Sequence, residues 1–323
     1  MNEKQVSVII VSFNTKNLTK KCISSIFEKT EGLNYEIIVV DNDSKDGSVE
    51  ELKKTFQNRI TIIESKENLG FGRANNLGIK QATGKYIFLL NSDTELINNA
   101  IKILYDYMET NNKVGICGGN LYDENMQPTF SCNNTTSSFF SYFFHKYIYP
   151  LTKIYCLITK KHIYPYFNYT DKVKMVGDII GADMFIRKEL LDKYGGFDEN
   201  IFLYTEDTEL NYRIYNNGYL IASVPKAKIF HFCGKSGSKD IINKHFQIIK
   251  SETYVYYKLY GKKSYFIYLN RKFAWILRIL IYSIIPKYII KKVNLPIYSI
   301  DECKRIIKFS EQEYYKFNKR ITL

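Results

Sequence analysis

Tryptophan is nearly missing from this sequence, with one residue in 323 against 28 Tyr and 21 Phe. Cysteine is sparse too. Six are scattered at Cys22, Cys117, Cys132, Cys156, Cys233 and Cys303, with no CxxC pair and no zinc-type spacing. That pattern excludes a disulfide scaffold and a structural zinc module, and it predicts reduced, mostly buried thiols. No stretch reaches the ~20 apolar residues of a membrane-spanning helix. The nearest, residues 279–285, is bounded by Arg278 and Pro286. The first apolar run, residues 6–11, is too short for a signal peptide and is interrupted by Ser7, so a cytoplasmic location is expected. There is no internal repeat and no nucleic-acid readout motif, so nucleic acid is not an expected partner.

What is present reads as an ordinary globular chain, 45% hydrophobic and 24% charged, long enough for one large domain with an appended piece. The net charge of +13 is unevenly placed. Residues 244–323 hold 17 Lys/Arg against 5 Asp/Glu, a net +12, which leaves +1 for the other 243 residues. The expected division is a near-neutral body, 1–243, and a basic extension, 244–323, that faces an anionic surface.

The body alternates apolar runs with amphipathic stretches. Strands are predicted at 6–11, 35–40, 60–64 and 86–90, and helices at 18–29, from Asp46 through the following VEELKKTF, and at 74–82. Each strand is continuously apolar, which implies a mostly parallel α/β sheet covered on both faces. In such sheets ligands bind beyond the C-terminal strand ends. Those ends are polar here: Ser12-Phe13-Asn14, Asp41-Asn42, Asn68 and Asn91-Ser92-Asp93. Further on, a helix is predicted at 97–110 and strands at 114–117, 182–187 and 228–232. Helices are also predicted at 188–194 and at 206–217, the latter ending at Gly218. Residues 130–175, crowded with Phe, Tyr and Lys and lacking a clean period, read as an insertion near the cleft.

The ordered blocks VSVIIVSFNTKNLTKKCISSI, EIIVVDNDSKDGS, ENLGFGRANNLGI, YIFLLNSDTEL and GGFDENIFLYTEDTELNYRIYNNGY resemble the GT-A nucleotide-sugar domain of glycosyltransferase family 2. The closest flavour is its rhamnosyltransferase-like branch, and the resemblance spans roughly residues 4–240. It implies an inverting transferase that moves a sugar from a nucleotide-diphosphate donor to a hydroxyl. The acceptor it implies is a lipid-linked glycan or a surface polysaccharide. Asp93, with Asn91 and Ser92 before it, then holds a divalent cation, Mg²⁺ or Mn²⁺, on the donor diphosphate. The family pattern is often Asp-X-Asp, and this chain has Asn91 in the first place. Taken alone, Asp93 could equally cap the following helix.

The resemblance also implies that Asp41 meets the donor's base, with Ser12, Phe13 and Asn14 lining that pocket. Asn68, Gly70 and Arg73 stand on the donor side, with Gly70 allowing close backbone approach. Arg73 reads equally well as a surface charge. Asp207 becomes the base that takes the acceptor proton, with Glu206 supporting it. His231 becomes a second metal ligand, and Lys235 a phosphate contact with Ser236.

On a helical wheel of residues 270–285, Phe273, Ile276, Leu277, Leu280, Ile281 and Ile284 share one face, with Arg271, Arg278 and Tyr282 opposite. That stripe in a basic segment reads as a helix in the interface of an anionic membrane, which makes the protein peripheral at the inner face of the cell membrane. The alternative is a helix packed on the body. Two other functions fit parts of the sequence: a non-catalytic sugar-binding scaffold, to which Asn91 lends weight, and a sugar nucleotidylyltransferase, which lacks the Glu206-Asp207 block. Sugar identity, linkage and oligomeric state stay open.

Overall fold

The computed structural model describes residues 4–133, 166–232, 240–284 and 298–319. The chain divides into two compact units, one of residues 1–136 and 164–237 and one that holds the C-terminal helices. Most of the predicted insertion, residues 134–165, and the loop that carries Lys235 and Ser236 lie outside the described residues.

The first unit runs β1 (Val6–Ser12), α1 (Lys16–Lys29), β2 (Tyr35–Asp41), α2 (Ser48–Phe56), β3 (Thr61–Glu64), α3 (Phe71–Gln81), β4 (Tyr86–Leu90), β5 (Thr94–Leu96), α4 (Ala100–Thr110) and β6 (Val114–Tyr122). Short strands β7 (Cys132–Asn133), β8 (Lys174–Met175) and β9 (Asp178–Ile179) follow. Then come β10 (Asp183–Arg187), α5 (Lys188–Tyr194), α6 (Glu206–Asn216) and β11 (Leu220–His231). The main sheet has the order β3-β2-β1-β4-β10-β6-β11-β5.

Both faces of the sheet are buried, and alternate residues of one strand serve opposite layers. Val6, Val8 and Ile10 pack with Ile23, Ile26, Leu52 and Leu104 from α1, α2 and α4. Ile9 packs with Ala74, Leu190, Leu210 and Ile214 from α3, α5 and α6. This explains why the strands read as continuous apolar runs. Asp46 anchors the start of α2, though Gly47 occupies the cap position. Its carboxylate accepts the first amide N–H of α2 at Ser48 (3.1 Å) and that of α1 at Lys16 (2.9 Å).

The expected parallel pairing holds for β3-β2-β1-β4. Beyond β4 the sheet is mixed: β10 lies antiparallel to both β4 and β6, and β5 antiparallel to β11. The insertion of β10 is what brings the second half of the chain to the strand ends of the first. Cys22, Cys117, Cys132 and Cys303 are free and buried, as their spacing predicts.

The second unit contains α7 (Ile241–Tyr260), α8 (Ser264–Ile284) and α9 (Ile300–Lys319). The Asp240 carboxylate caps α7 by accepting the N–H groups of Ile242 and Asn243. The unit's interior is unusually polar. Arg271 of α8 is buried, donates to Glu252 Oε2 at 2.6 Å and to Thr253 Oγ1 at 3.2 Å, and so ties α8 to α7. Trp275 sits edge-on to His245 and Tyr298, with the Arg278 guanidinium 4.5 Å from its ring centroid. Among the described residues, no helix is long and apolar enough to cross a membrane.

Candidate active site

The strand ends β1, β2 and β4 converge on a hydrogen-bonded rim. Asn42 N–H donates to Ser12 O (2.8 Å), and Ser65 N–H donates to Asp41 O (2.8 Å). The Ser12 hydroxyl turns inward to Thr15 and Thr19. Thr15 Oγ1 in turn donates to Ser92 Oγ at 3.1 Å. Asn14, in left-handed conformation, accepts Lys45 N–H and donates its own N–H to Ser44. Phe13 stands beside it, 38% exposed.

Asp41 is 3% exposed; its Oδ1 accepts Ser44 N–H, while its buried Oδ2 has no hydrogen-bond partner among the described residues. A buried carboxylate oxygen in that state is costly unless a ligand supplies a donor. An N–H of a nucleobase would satisfy it.

Asn42 organises the third block, a role that sequence reading passed over. Its Nδ2 donates to Asn68 Oδ1 (2.9 Å) and Gly70 O (3.2 Å), while its Oδ1 accepts Leu69 N–H (2.9 Å). Gly70 has φ +79° and ψ −177°, and a Cβ there would stand 2.0 Å from the carbonyl oxygen of Phe202. The close approach this glycine permits is therefore that of Phe202, whose carbonyl accepts Phe71 N–H at 3.0 Å. Asn76 fastens the same two blocks: its Nδ2 donates to Phe197 O and its Oδ1 accepts Phe197 N–H, both at 2.9 Å. The signal in sequence was a polar side chain on the buried face of α3. Arg73 is exposed on that helix, and no ion pair reaches it among the described residues.

The two carboxylate sites meet just before β10. Asn91 N–H donates to Ala182 O (3.0 Å), and the preceding residue, Gly181, donates its N–H to Asp207 Oδ2 (2.9 Å). On the other flank, Phe232 N–H donates to Asp93 O (2.9 Å), and His231 pairs with Thr94. This places His231 Nε2 3.6 Å from Asp93 Oδ1, with both side chains nearly buried.

Asp207 is half-buried at the start of α6. Its Oδ1 accepts Thr208 N–H at 2.8 Å. Burial raises its pKa, and the two amide N–H groups hold it back. Glu206 is 5% exposed, and its Oε2 has no partner among the described residues. Burial, then the charge of Asp207, pushes its pKa to about 8. Two further acids escaped sequence reading because they begin apolar strands. Asp178 is raised to about 7 by burial and then by Asp207. Asp183, fully buried, is raised well above its usual range by burial, although its Oδ2 accepts Gly119 N–H at 2.6 Å.

Backbone strain marks the approach to this helix. Tyr204 and Thr205 have φ of +70° and +67°, a conformation that costs of order 1–3 kcal/mol per residue and is rarest for a β-branched side chain. Strain of this kind persists only where the surroundings impose it, and here Phe202 is held by Phe71 and Gly70.

The residues present fit a divalent cation in chemistry. Asp93 and His231 supply an oxygen and an imidazole nitrogen within reach of one ion, and the number of protein donors suits a site completed by phosphate oxygens and water. Among the described residues, no group of three or more His, Cys, Asp or Glu is arranged to hold a metal ion by itself.

The chain is similar to several known glycosyltransferases. Over 240 residues the chain is 27% identical to an uncharacterized glycosyltransferase, MJ1057, of Methanocaldococcus jannaschii, covering 72% of this chain and 78% of that one. It is 33% identical over 118 residues to the poly(ribitol-phosphate) beta-N-acetylglucosaminyltransferase TarP of Staphylococcus aureus, 36% of each chain. It is 30% identical over 112 residues to the UDP-Glc:alpha-D-GlcNAc-diphosphoundecaprenol beta-1,3-glucosyltransferase WfgD of Escherichia coli, 35% of this chain and 44% of that one. The chain thus spans less than half the length of these last two relatives. A crystal structure of GalNAc-T7 with UDP, GalNAc and Mn²⁺ superposes with a TM-score of 0.60 at 15% identity, covering 99% of this chain and 57% of that one. At that identity the likeness establishes the fold, which is GT-A-like. The family model described as glycosyl transferase family 2 matches residues 7–195, and the chain belongs to that family.

Proposed function

We propose that this glycosyltransferase transfers a sugar with inversion from a nucleotide-diphosphate donor to a hydroxyl of a lipid-linked glycan or surface polysaccharide. The observation that carries the reading is the hydrogen-bonded path from Asn91 through Ala182 and Gly181 to Asp207. That path brings Asp207 close to Asn91, which supports reading it as a base beside the residues that would hold the diphosphate. Asp41, with its unsatisfied buried oxygen, takes the donor's base. Asp93 and His231 would hold Mg²⁺ or Mn²⁺, which when bound offsets the charge that builds on the departing diphosphate. Asp207 accepts the acceptor's hydroxyl proton as the oxygen attacks the anomeric carbon, and Glu206, whose pKa burial raises, supports it from the adjacent position. A single displacement of this kind inverts the anomeric centre.

Relatives named for polymer and diphosphoundecaprenol-linked acceptors support the acceptor class. Asn91 in place of a first Asp supports a rhamnosyl-type donor. The test is a panel of nucleotide sugars with purified protein and Mn²⁺. The expected result is a rise in melting temperature with one donor, slow release of its nucleotide diphosphate, and product of inverted anomeric configuration by NMR. Retained configuration would overturn the single-displacement reading. Donor binding with no turnover on any acceptor would favour the scaffold.

A further inference from the structure

Helix α1 buries a polar stripe. Thr15, Thr19, Cys22 and Ser25 are all buried, and at 100° per residue they lie within an arc of about 120°. A helix normally gives its buried face to apolar side chains, as Ile23 and Ile26 do beside them. Three of the four reach a single segment. Thr15 Oγ1 donates to Ser92 Oγ at 3.1 Å, and the Cys22 thiol lies 3.6 Å from both Asn91 O and Thr94 Oγ1. Ser25 Oγ accepts Leu96 N–H at 2.9 Å. Residues 91–96 are thus laid along α1, and Asp93 sits between Ser92 and Thr94, which the helix holds on either side.

Thr15 forgoes the bond that its place in the helix offers. It stands at the cap position of α1, where a threonine hydroxyl ordinarily accepts an amide N–H of the first turn, and it makes no such bond. Asp46 accepts Lys16 N–H instead, at 2.9 Å. A hydroxyl has one hydrogen to give, and Thr15 gives it to Ser92, with Ser12 and Thr19 at 3.3 and 3.0 Å behind it. Thr94 Oγ1 donates back to Asn91 O at 2.7 Å, which closes the turn around Asp93, and the same Thr94 pairs with His231. Groups that hold a metal ligand's own segment in place set how well the ligand meets the ion. We propose that Thr15 is a positioning residue for the divalent cation: by holding Ser92, it fixes the turn that orients Asp93. This rests on the reading of Asp93 and His231 as cation ligands, and it adds a residue that acts on the ion only through its neighbours.

The test reads Mn²⁺ binding by the full chain rather than turnover, from the electron paramagnetic resonance signal of the free ion, with UDP, GDP or dTDP present. With the diphosphate that supports Mn²⁺ binding by the wild type, Thr15→Val should weaken Mn²⁺ about fivefold, the scale of one neutral hydrogen bond. Thr15→Ser should restore it. Affinity of Thr15→Val for the same diphosphate in chelator should match wild type. A second variant guards against misfolding of the first: Ser92→Ala removes the other end of the bond and should weaken Mn²⁺ by a similar factor. The double variant should lose no more than either alone. Wild-type Mn²⁺ affinity in Thr15→Val or in Ser92→Ala overturns the inference and leaves the cation ligands standing, as does a Thr15→Ser variant as weak as Thr15→Val. Equal losses of diphosphate affinity with Mn²⁺ and in chelator would also overturn it, by assigning Thr15 to the packing of α1. Absence of Mn²⁺ binding by the wild type with all three diphosphates would overturn the assignment of Asp93 and His231, and this inference with it.

Discussion

Gly70→Ala separates two roles for the glycine that opens α3. Sequence reasoning gives it to the donor, as a place where the backbone approaches the sugar nucleotide. The structure gives its open face to Phe202, since an added Cβ would lie 2.0 Å from that carbonyl oxygen and 2.9 Å from its carbon. The backbone, at φ +79° and ψ −177°, is a glycine conformation, and forcing alanine into it costs of order 1–3 kcal/mol. Relief by withdrawal of Phe202 breaks the Phe71 N–H to Phe202 hydrogen bond of 3.0 Å, worth about 1 kcal/mol. The sum is about 2–4 kcal/mol, or roughly 5–15 °C in melting temperature for a domain of this size. Phe202 stands five residues before Asp207, so its displacement should also slow turnover while donor affinity stays near wild type. Thermal unfolding and steady-state kinetics on one preparation decide between the roles. An unchanged melting temperature with a weakened donor Kd would refute the docking argument and return Gly70 to the donor.

Three further substitutions probe the site. Asp207→Asn should lower turnover by at least about a hundredfold, the scale of general-base removal, with donor binding retained in a thermal-shift titration; near-normal turnover would take Asp207 out of the mechanism. Asp93→Ala should abolish activity or its dependence on divalent cation, and a chelator should inhibit the wild type; full activity of metal-stripped wild type would remove the metal assignment from both Asp93 and His231. Glu206, raised from 4.5 to about 8, keeps in the folded state a proton that the unfolded chain releases. Its contribution to stability is thus complete below about pH 4.5 and lost as pH rises to about 8. Glu206→Gln should therefore gain in melting temperature relative to wild type between pH 5 and pH 9, and a difference constant across that range would show that Glu206 titrates normally.

The strand ends that form the polar rim were legible because parallel strands write themselves as apolar runs with polar tips. Asp41 and Asn91-Ser92-Asp93 fall where that grammar puts them. What joins the two carboxylate sites was not legible. The bond from Asn91 N–H to Ala182 O and the bond from Gly181 N–H to Asp207 both use backbone donors, 91 and 26 positions from their acceptors, and backbone groups carry no residue-type signature across such separations. The antiparallel insertion of β10 was hidden for the same reason, since Asp183–Arg187 is apolar enough to pair in either direction. Asp178 and Asp183 were missed because acids at the first position of a strand look like turn residues until their burial is known.

The C-terminal helices show a different limit. Periodicity located the stripe of α8 from its side-chain pattern, and it also put Arg271 on the opposite face. It could not say which face turns inward, because an amphipathic wheel has the same period either way. That choice belongs to the partner helix. Glu252 and Thr253 of α7 offer Arg271 a carboxylate and a hydroxyl at 2.6 and 3.2 Å, and His245 and Tyr298 offer Trp275 an aromatic cage. With the guanidinium paired in this way, the polar face can be buried, and the apolar face is left outside. The inversion is therefore specified by four residues scattered over 54 positions of sequence. It fixes one consequence: Arg271 and Trp275 hold the helices together, and the face that carries Phe273 and Leu280 is the exposed one.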